Sequence, residues 1–219
     1  MSVRFPYLFN FAASFQGGGF KRLFEYARWF NQRGGAYFVV NARSEEILKK
    51  TFRANRYFPV NQRLYRRIFS DCEYLSQIEA AVGTPDFYYS FGIPIYARFG
   101  RVNWFHLSNV LPIHQWGSIP LPPRDRVKLA YLGWRIRQHY STADVVSAES
   151  AWSLELIDLA EREKLFLSVN GSDDELQSMK SGRSEATEDV AIVVGTSPYK
   201  ALDDSHRVFS ALRNEHESL

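Results

Sequence analysis

Three consecutive glycines, Gly17, Gly18 and Gly19, stand between an apolar stretch and a segment with helical periodicity. Glycines at the mouth of a helix let backbone N–H groups approach an anion closely, and the helix N-terminus adds partial positive charge, so such a turn suits phosphate oxygens. A tight turn needed by any βα unit is the alternative reading of the same residues. Arg22, one turn on, either reaches that anion or points to solvent. His106 closes the segment RVNWFHL (101–107), at a strand end of the kind where the sites of α/β proteins gather. A lone histidine otherwise serves as a core or surface residue. Asn109 follows closely behind it, and Glu149 and Ser150 close another strand end as candidate pocket walls. His114, in a proline-rich loop, is a lesser candidate.

The elements that must position these residues alternate between strand and helix. VRFPYLFNFA (3–12) is β-favouring. Phe20, Leu23, Phe24, Ala27 and Phe30 then recur at three- and four-residue steps, which predicts a helix with one buried stripe, stopped at Gly34-Gly35. AYFVVNA (36–42) is a short, wholly apolar run suited to a strand buried on both faces. Helical stretches are expected over 44–54, within 61–82, over 124–139 and over AWSLELIDLAER (151–162). DFYYSFG (86–92), RVNWFHL, ADVVSAE (143–149) and KLFLSVNG (164–171) read as further strands. This alternation predicts a doubly wound, Rossmann-like parallel sheet with ligands outside the carboxyl ends of its strands. The polar, acidic run 171–189 reads as a linker after a first domain (1–170). Residues 190–219 read as one strand and one helix of a second.

The chain has 219 residues and a net charge of +3, with 45% hydrophobic and 23% charged residues, ordinary globular usage. No apolar run approaches the roughly 20 residues that span a bilayer. The first residues read as strand and loop rather than a cleaved leader. A single cysteine, Cys72, makes neither an internal disulfide nor a zinc site, so no metal and a cytoplasmic location are expected. The charge is uneven: residues 172–219 carry a net −5 and residues 1–171 a net +8. Eight bases fall between Arg43 and Arg67, among them Arg53, Arg56, Arg63, Arg66 and Arg67, interleaved with Phe52, Tyr57, Phe58, Tyr65 and Phe69. Such a stretch attracts phosphates of nucleic acid, lipid headgroups or sugars. A solvated face whose aromatics are core is the alternative.

Four segments, in order, resemble the two-domain glycosyltransferases of the GT-B fold, in particular the retaining family 4 enzymes of cell-surface polysaccharide synthesis. GGGFKRLFEYARWFNQRG (17–34) is similar to their first glycine loop and helix, and NWFHLSN (103–109) to their strand ending in an active-site histidine. YSTADVVSAESAWSLELI (140–157) resembles a further family segment. KLFLSVNGSDDE (164–175) with VAIVVGTSPYKALDDSHRVFSALR (190–213) resembles the inter-domain crossing and the start of the nucleotide-sugar domain. The resemblance implies a GT-B N-terminal domain, with His106 lining the donor sugar and Lys200 on the donor diphosphate. Thr196 stands where the family commonly has an arginine, and no glutamate pair separated by seven residues follows. The implied activity is hexosyl transfer from a nucleotide sugar to a polysaccharide or lipid-linked acceptor. The expected product is truncated and inactive alone, with a separate chain as candidate donor of the missing half. The basic stretch, together with the helix holding Arg124, Arg126, Lys128, Arg135 and Arg137, then suits peripheral attachment to the anionic inner face of the plasma membrane.

A dinucleotide-binding oxidoreductase is disfavoured, because the loop lacks G-x-G-x-x-G and the second strand ends at Asn41-Ala42 without an acid. A non-enzymatic partner subunit or sugar/phosphate-binding module stays open. Nucleic acid is not an expected partner, since no recognisable module stands behind the basic stretch.

Overall fold

The computed structural model describes residues 5–60, 72–114 and 121–169, together with Ser210. The chain divides into two units, residues 1–114 with 129–169, and residues 115–128 with 170–219. Of the second unit only residues 121–128 and Ser210 are described. The expected linker and the strand and helix of 190–219 therefore lie, Ser210 apart, outside the described residues, as do Arg63, Arg66, Arg67 and Lys200.

The first unit is built on seven parallel strands: β1 (Tyr7–Phe11), β2 (Tyr37–Asn41), β3 (Arg56–Val60), β4 (Phe87–Phe91), β5 (Val102–Leu107), β6 (Val145–Ala148) and β7 (Leu165–Leu167). They lie in the order β3-β2-β1-β4-β5-β6-β7. The α-helices whose bounds lie among the described residues are α1 (Gly17–Asn31), α2 (Ala42–Thr51), α3 (Cys72–Val82), α4 (Pro123–His139) and α5 (Ala151–Glu155). Successive β1, β2 and β3 step one way and β4 to β7 the other, so the winding reverses between β1 and β4. This is the doubly wound α/β architecture expected from the sequence, and its crevice falls outside the carboxyl ends of β1 and β4.

Alternate residues of the same strands supply two cores, which is why the strand sequences are apolar without alternation. On one face Phe9, Phe11, Phe38, Val40, Tyr89 and Phe91 meet Leu23 and Ala27 of α1 and Leu48 of α2. Phe9 alone packs against the rings of Tyr26, Phe30, Phe38, Phe87 and Tyr89 at centroid separations of 4.7–6.1 Å. On the other face Leu8, Tyr37, Val39, Tyr88, Phe105 and Val146 meet Tyr74, Leu75 and Ile78 of α3, Ile136 of α4, and Ile157. Each such side chain, fully buried, is worth about 1.5–3 kcal/mol.

Two expectations are corrected. RYFPV forms β3 although the sequence reading had no strand there. Its outward Arg56 and its proline disguise it, and Pro59 is tolerated because β3 is an edge strand. The helix expected over 151–162 stops at Glu155. Ser150 caps its start, but Ile157 and Leu159 are both buried at a two-residue step, which a continuing helix cannot provide.

The amino end of β5 is held by a closed polar clip. Arg98 donates to both carboxylate oxygens of Asp144 at 2.8 and 2.7 Å, and Asp144 accepts the Asn103 backbone N–H at 2.8 Å. The fully buried Asn103 side chain accepts from the N–H groups of Phe99 and Gly100 at 2.9 and 3.0 Å and donates to the Gly100 carbonyl at 2.8 Å. Burial alone raises the Asp144 carboxyl, but the hydrogen bonds from Arg98 and Asn103 outweigh it and hold the group below its ordinary value.

Candidate functional site

The carboxyl ends of the strands carry a second cluster, set by register. Phe91 pairs with His106 across β4–β5, and His106 with Ser147 across β5–β6. These residues share one face with Phe11, so a row Phe11–Phe91–His106 stacks ring on ring. Centroid separations are 5.1 Å at each step, and the Phe91 and His106 planes lie within 10°. Helix α1 crosses this row. Gly17 takes φ +63°, a left-handed conformation that glycine adopts without penalty, and turns the chain into the helix. Gly19 lies so close to the sheet that a Cβ there would stand 3.0 Å from Ser14 Oγ and 3.2 Å from the Phe91 ring. Gly19 and His106 therefore both lie against one phenylalanine. The preceding Gln16 makes no side-chain cap, and the first turn holds no acid.

From the second turn of α1, Arg22 reaches over the row. Its guanidinium lies 5.4 Å from the centroid of the Phe91 ring. Nη1 is 2.6 Å from His106 Nε2 and donates to the Tyr89 hydroxyl at 3.4 Å, and Nη2 donates to the Ser168 carbonyl at 3.4 Å. Glu149 Oε1, just beyond β6, stands 3.8 Å from Arg22 Nη2 and 3.7 Å from His106 Nε2. Only 9% of the Arg22 side chain is exposed, against 37% for Glu149 and none for His106.

This arrangement fixes the protonation of His106. A guanidinium has no acceptor, so the facing Nε2 offers its lone pair and the proton of the neutral ring sits on Nδ1. Nδ1 then donates to Ser147 Oγ at 2.8 Å, which also accepts Trp104 Nε1–H at 2.7 Å. Burial holds the imidazole below its ordinary pKa. The Arg22 charge adds to that effect, while Glu149 opposes it. Burial, with Tyr26 nearby, keeps the Tyr89 hydroxyl far above the ordinary phenol range despite Arg22. The site therefore presents a neutral histidine with a defined tautomer, an enclosed cation, a half-exposed carboxylate and an uncapped helix start. That set suits an anionic group lying beside a hydroxyl-bearing one.

The sequence candidates divide. His106 and Glu149 come together with Arg22, and Gly19 adjoins them through Phe91, whereas a Cβ at Gly17 or Gly18 would meet nothing within 4 Å. Ser150 Oγ instead caps α5, accepting Ser153 N–H at 3.1 Å. Asn109 Oδ1 closes a local turn by accepting Leu111 N–H at 3.0 Å. His114 stands beside Trp152, ring centroids 5.4 Å apart. Arg53 and Arg56 lie at the opposite, amino end of the strands, and Phe52 and Tyr57 beside them are buried in the core. Sequence reasoning missed Ser147, Tyr89, Phe91 and Ser168. Ser147 left a signal, a lone hydroxyl inside the apolar run ADVVSAE.

Among the described residues no group of three His, Cys, Asp or Glu side chains could hold a metal, and no helix is long and apolar enough to cross a membrane. In comparisons with known proteins no family model matches this chain, and no curated protein is significantly similar to it.

Proposed function

We propose that this chain carries the acceptor-side domain of a GT-B-type glycosyltransferase, which moves a hexosyl group from a nucleotide sugar to a glycan or lipid-linked acceptor. The observation that supports this best is the meeting of Arg22, His106 and Glu149 beside the uncapped glycine start of α1, at the point where the winding of the sheet reverses.

In glycosyl transfer the bond between the anomeric carbon and the diphosphate oxygen breaks, and the leaving diphosphate takes the electron pair. The acceptor hydroxyl forms the new bond to the anomeric carbon and passes its proton to the departing diphosphate oxygen. Negative charge grows on the leaving group, so fixed donors aimed at it lower the barrier. The N–H groups of Gly17–Gly19 and the Arg22 guanidinium fill that role. The His106 ring, neutral and held by Ser147, faces the sugar as a hydrogen-bonding partner. Glu149, close to both Arg22 and His106, sets how firmly Arg22 is held before the anion arrives. No step in this scheme calls on a metal.

The test is histidine-selective nitrogen NMR on the full chain, which holds five histidines. Added uridine and guanosine diphosphate sugars are expected to shift the His106 resonances, and Arg22→Gln is expected to weaken that response about tenfold or more. No response to any nucleotide sugar, or an equal response to a nicotinamide dinucleotide, overturns the reading. Transfer of labelled sugar by the purified chain alone would show that it needs no separate donor-binding half.

A further inference from the structure

A cavity lies at the far end of the sheet from His106. It has a volume of about 410 Å³ and is lined by Lys49, Arg53, Asn55, Arg56, Tyr57, Phe58, Ala81 and Val82. Three of these side chains are cations and none is an acid. The last turns of α2 and α3, the turn into β3, and the first three residues of β3 bring the lining together.

The wall is rigid where it is polar and neutral. Asn55 is buried. Its Oδ1 accepts the Ala36 N–H at 3.1 Å, and its Nδ2 donates to the Ala27 carbonyl at 2.7 Å and to the Tyr57 hydroxyl at 3.2 Å. The Tyr57 hydroxyl donates in turn to the Phe52 carbonyl at 3.2 Å. Burial pushes that hydroxyl up to about 12, so it contributes no negative charge at neutral pH. The cations are differently placed. Lys49 pairs along its own helix with Glu45. Arg53 and Arg56 are exposed and face no carboxylate among the described residues, and the Arg56 guanidinium lies over the Phe5 ring, 5.9 Å from its centroid.

Cations near the ends of α2 and α3 also complement the carbonyl ends of those helices. That accounts for only part of the charge. Each helix end is equivalent to about half a negative charge, and Glu45 offsets one more, so three cations leave a surplus. Two arginines on one rim present fork-shaped donors matched to phosphate oxygens, whereas a solvated face needs no cavity behind it. The half-buried Phe58 ring and the Ala81–Val82 surface offer an apolar wall beyond the anion. The volume falls within the range of small-ligand pockets.

We propose that this cavity is a binding site for a phosphate monoester, with Arg53 and Arg56 gripping the phosphate and Phe58, Ala81 and Val82 contacting the body that carries it. The site is separate from the His106 cluster and independent of its reading. The same chemistry reaches the chain either from a soluble phosphorylated compound or from a phosphatidic-acid headgroup in a membrane.

Two measurements on the full chain separate these sources. The first titrates inorganic phosphate at constant ionic strength against backbone amide NMR shifts of Arg53, Arg56 and Tyr57. The second floats the protein with phosphatidylcholine vesicles doped either with phosphatidic acid, a monoester, or with phosphatidylglycerol, a diester. Free phosphate saturating those three amides identifies a soluble source. Flotation with phosphatidic acid in preference to phosphatidylglycerol identifies a lipid source. In either case Arg53→Gln with Arg56→Gln weakens binding about tenfold or more, leaving the His106 resonances unmoved. Should that pair fail to fold, Arg53→Lys with Arg56→Lys keeps the charge and removes the fork, and is still expected to weaken binding severalfold. The proposal is overturned if neither probe binds, if free phosphate leaves the three amides unmoved and the two vesicle types recover the protein equally, or if the folded variant binds as the wild type does.

Discussion

Strand β5 ends in a polar cluster on each side, and the two are built differently. At its amino end Arg98, Asp144 and Asn103 form short bonds of 2.7–3.0 Å among themselves and to the backbone. At its carboxyl end Arg22 and His106 meet at 2.6 Å, but Glu149 stands 3.7–3.8 Å from both and is half open to solvent. The first cluster closes on itself and fastens loops. The second buries a cation and a neutral histidine and sets a half-exposed carboxylate at the longer end of ion-pair range from both. Polar groups that hold a fold saturate one another, whereas groups awaiting a ligand keep capacity in reserve.

The largest effect that tests this contrast falls at the amino end. Asn103→Ala leaves the N–H groups of Phe99 and Gly100 without their acceptor, and should lower unfolding free energy by about 3 kcal/mol in urea titration. Ligand response at His106 should be unchanged. A loss below about 1 kcal/mol would erase the distinction between a fastening cluster and a receptive one.

Next in size is a pH effect that separates the two ends. His106 has its pKa lowered in the folded state, so the unfolded chain binds the extra proton first. Its contribution is complete above about pH 6.5 and is lost as pH falls below that, with a slope of up to about 1.4 kcal/mol per pH unit. His139, also lowered by burial and by Arg135, adds to the same window, so the measurement belongs in a His139→Gln background. There His106→Gln should flatten the slope between about pH 6.5 and 5. Asp144 is also lowered, but its contribution persists above about pH 4 and disappears only in stronger acid. Asp144→Asn should therefore alter the profile below about pH 4 and leave the histidine window intact.

The smallest expected change is in the stability of Arg22→Gln. Removing a buried cation relieves its desolvation, and the exposed side of Glu149 stays hydrated, so unfolding free energy should move by no more than about 1 kcal/mol. The same variant should lose most of the nucleotide-sugar response. A destabilisation as large as that of Asn103→Ala would make Arg22 a fastening residue too.

Much of the sheet was legible because its strands are short apolar runs bounded by turn residues. YFVVN and FYYSF can be little else. RYFPV was hidden because an edge strand tolerates a leading arginine and a proline that a central strand would reject. AWSLELIDLAER carries helical spacing for one turn only, and burial of Ile157 and Leu159 decides the rest. At the site, Gly17–Gly19 and His106 could be picked out by type and by position at element ends. That Arg22 faces inward could not, because its direction depends on how α1 lies over Phe91. Ser147 and Tyr89 join His106 through strand register, a relation between segments far apart in the chain that no local pattern encodes.

The proline in β3 has a further consequence. Arg56 N–H donates inward to Ala36 at 2.9 Å, so with a two-residue repeat Phe58 and Val60 also face β2 while Pro59 faces outward. The outer margin of the sheet thus lacks a donor at the fourth residue of a five-residue strand. Another polypeptide attempting to add there would lose a ladder bond toward the carboxyl end of the strand. Lateral growth of the sheet into intermolecular stacks is thereby obstructed on that side by one missing hydrogen.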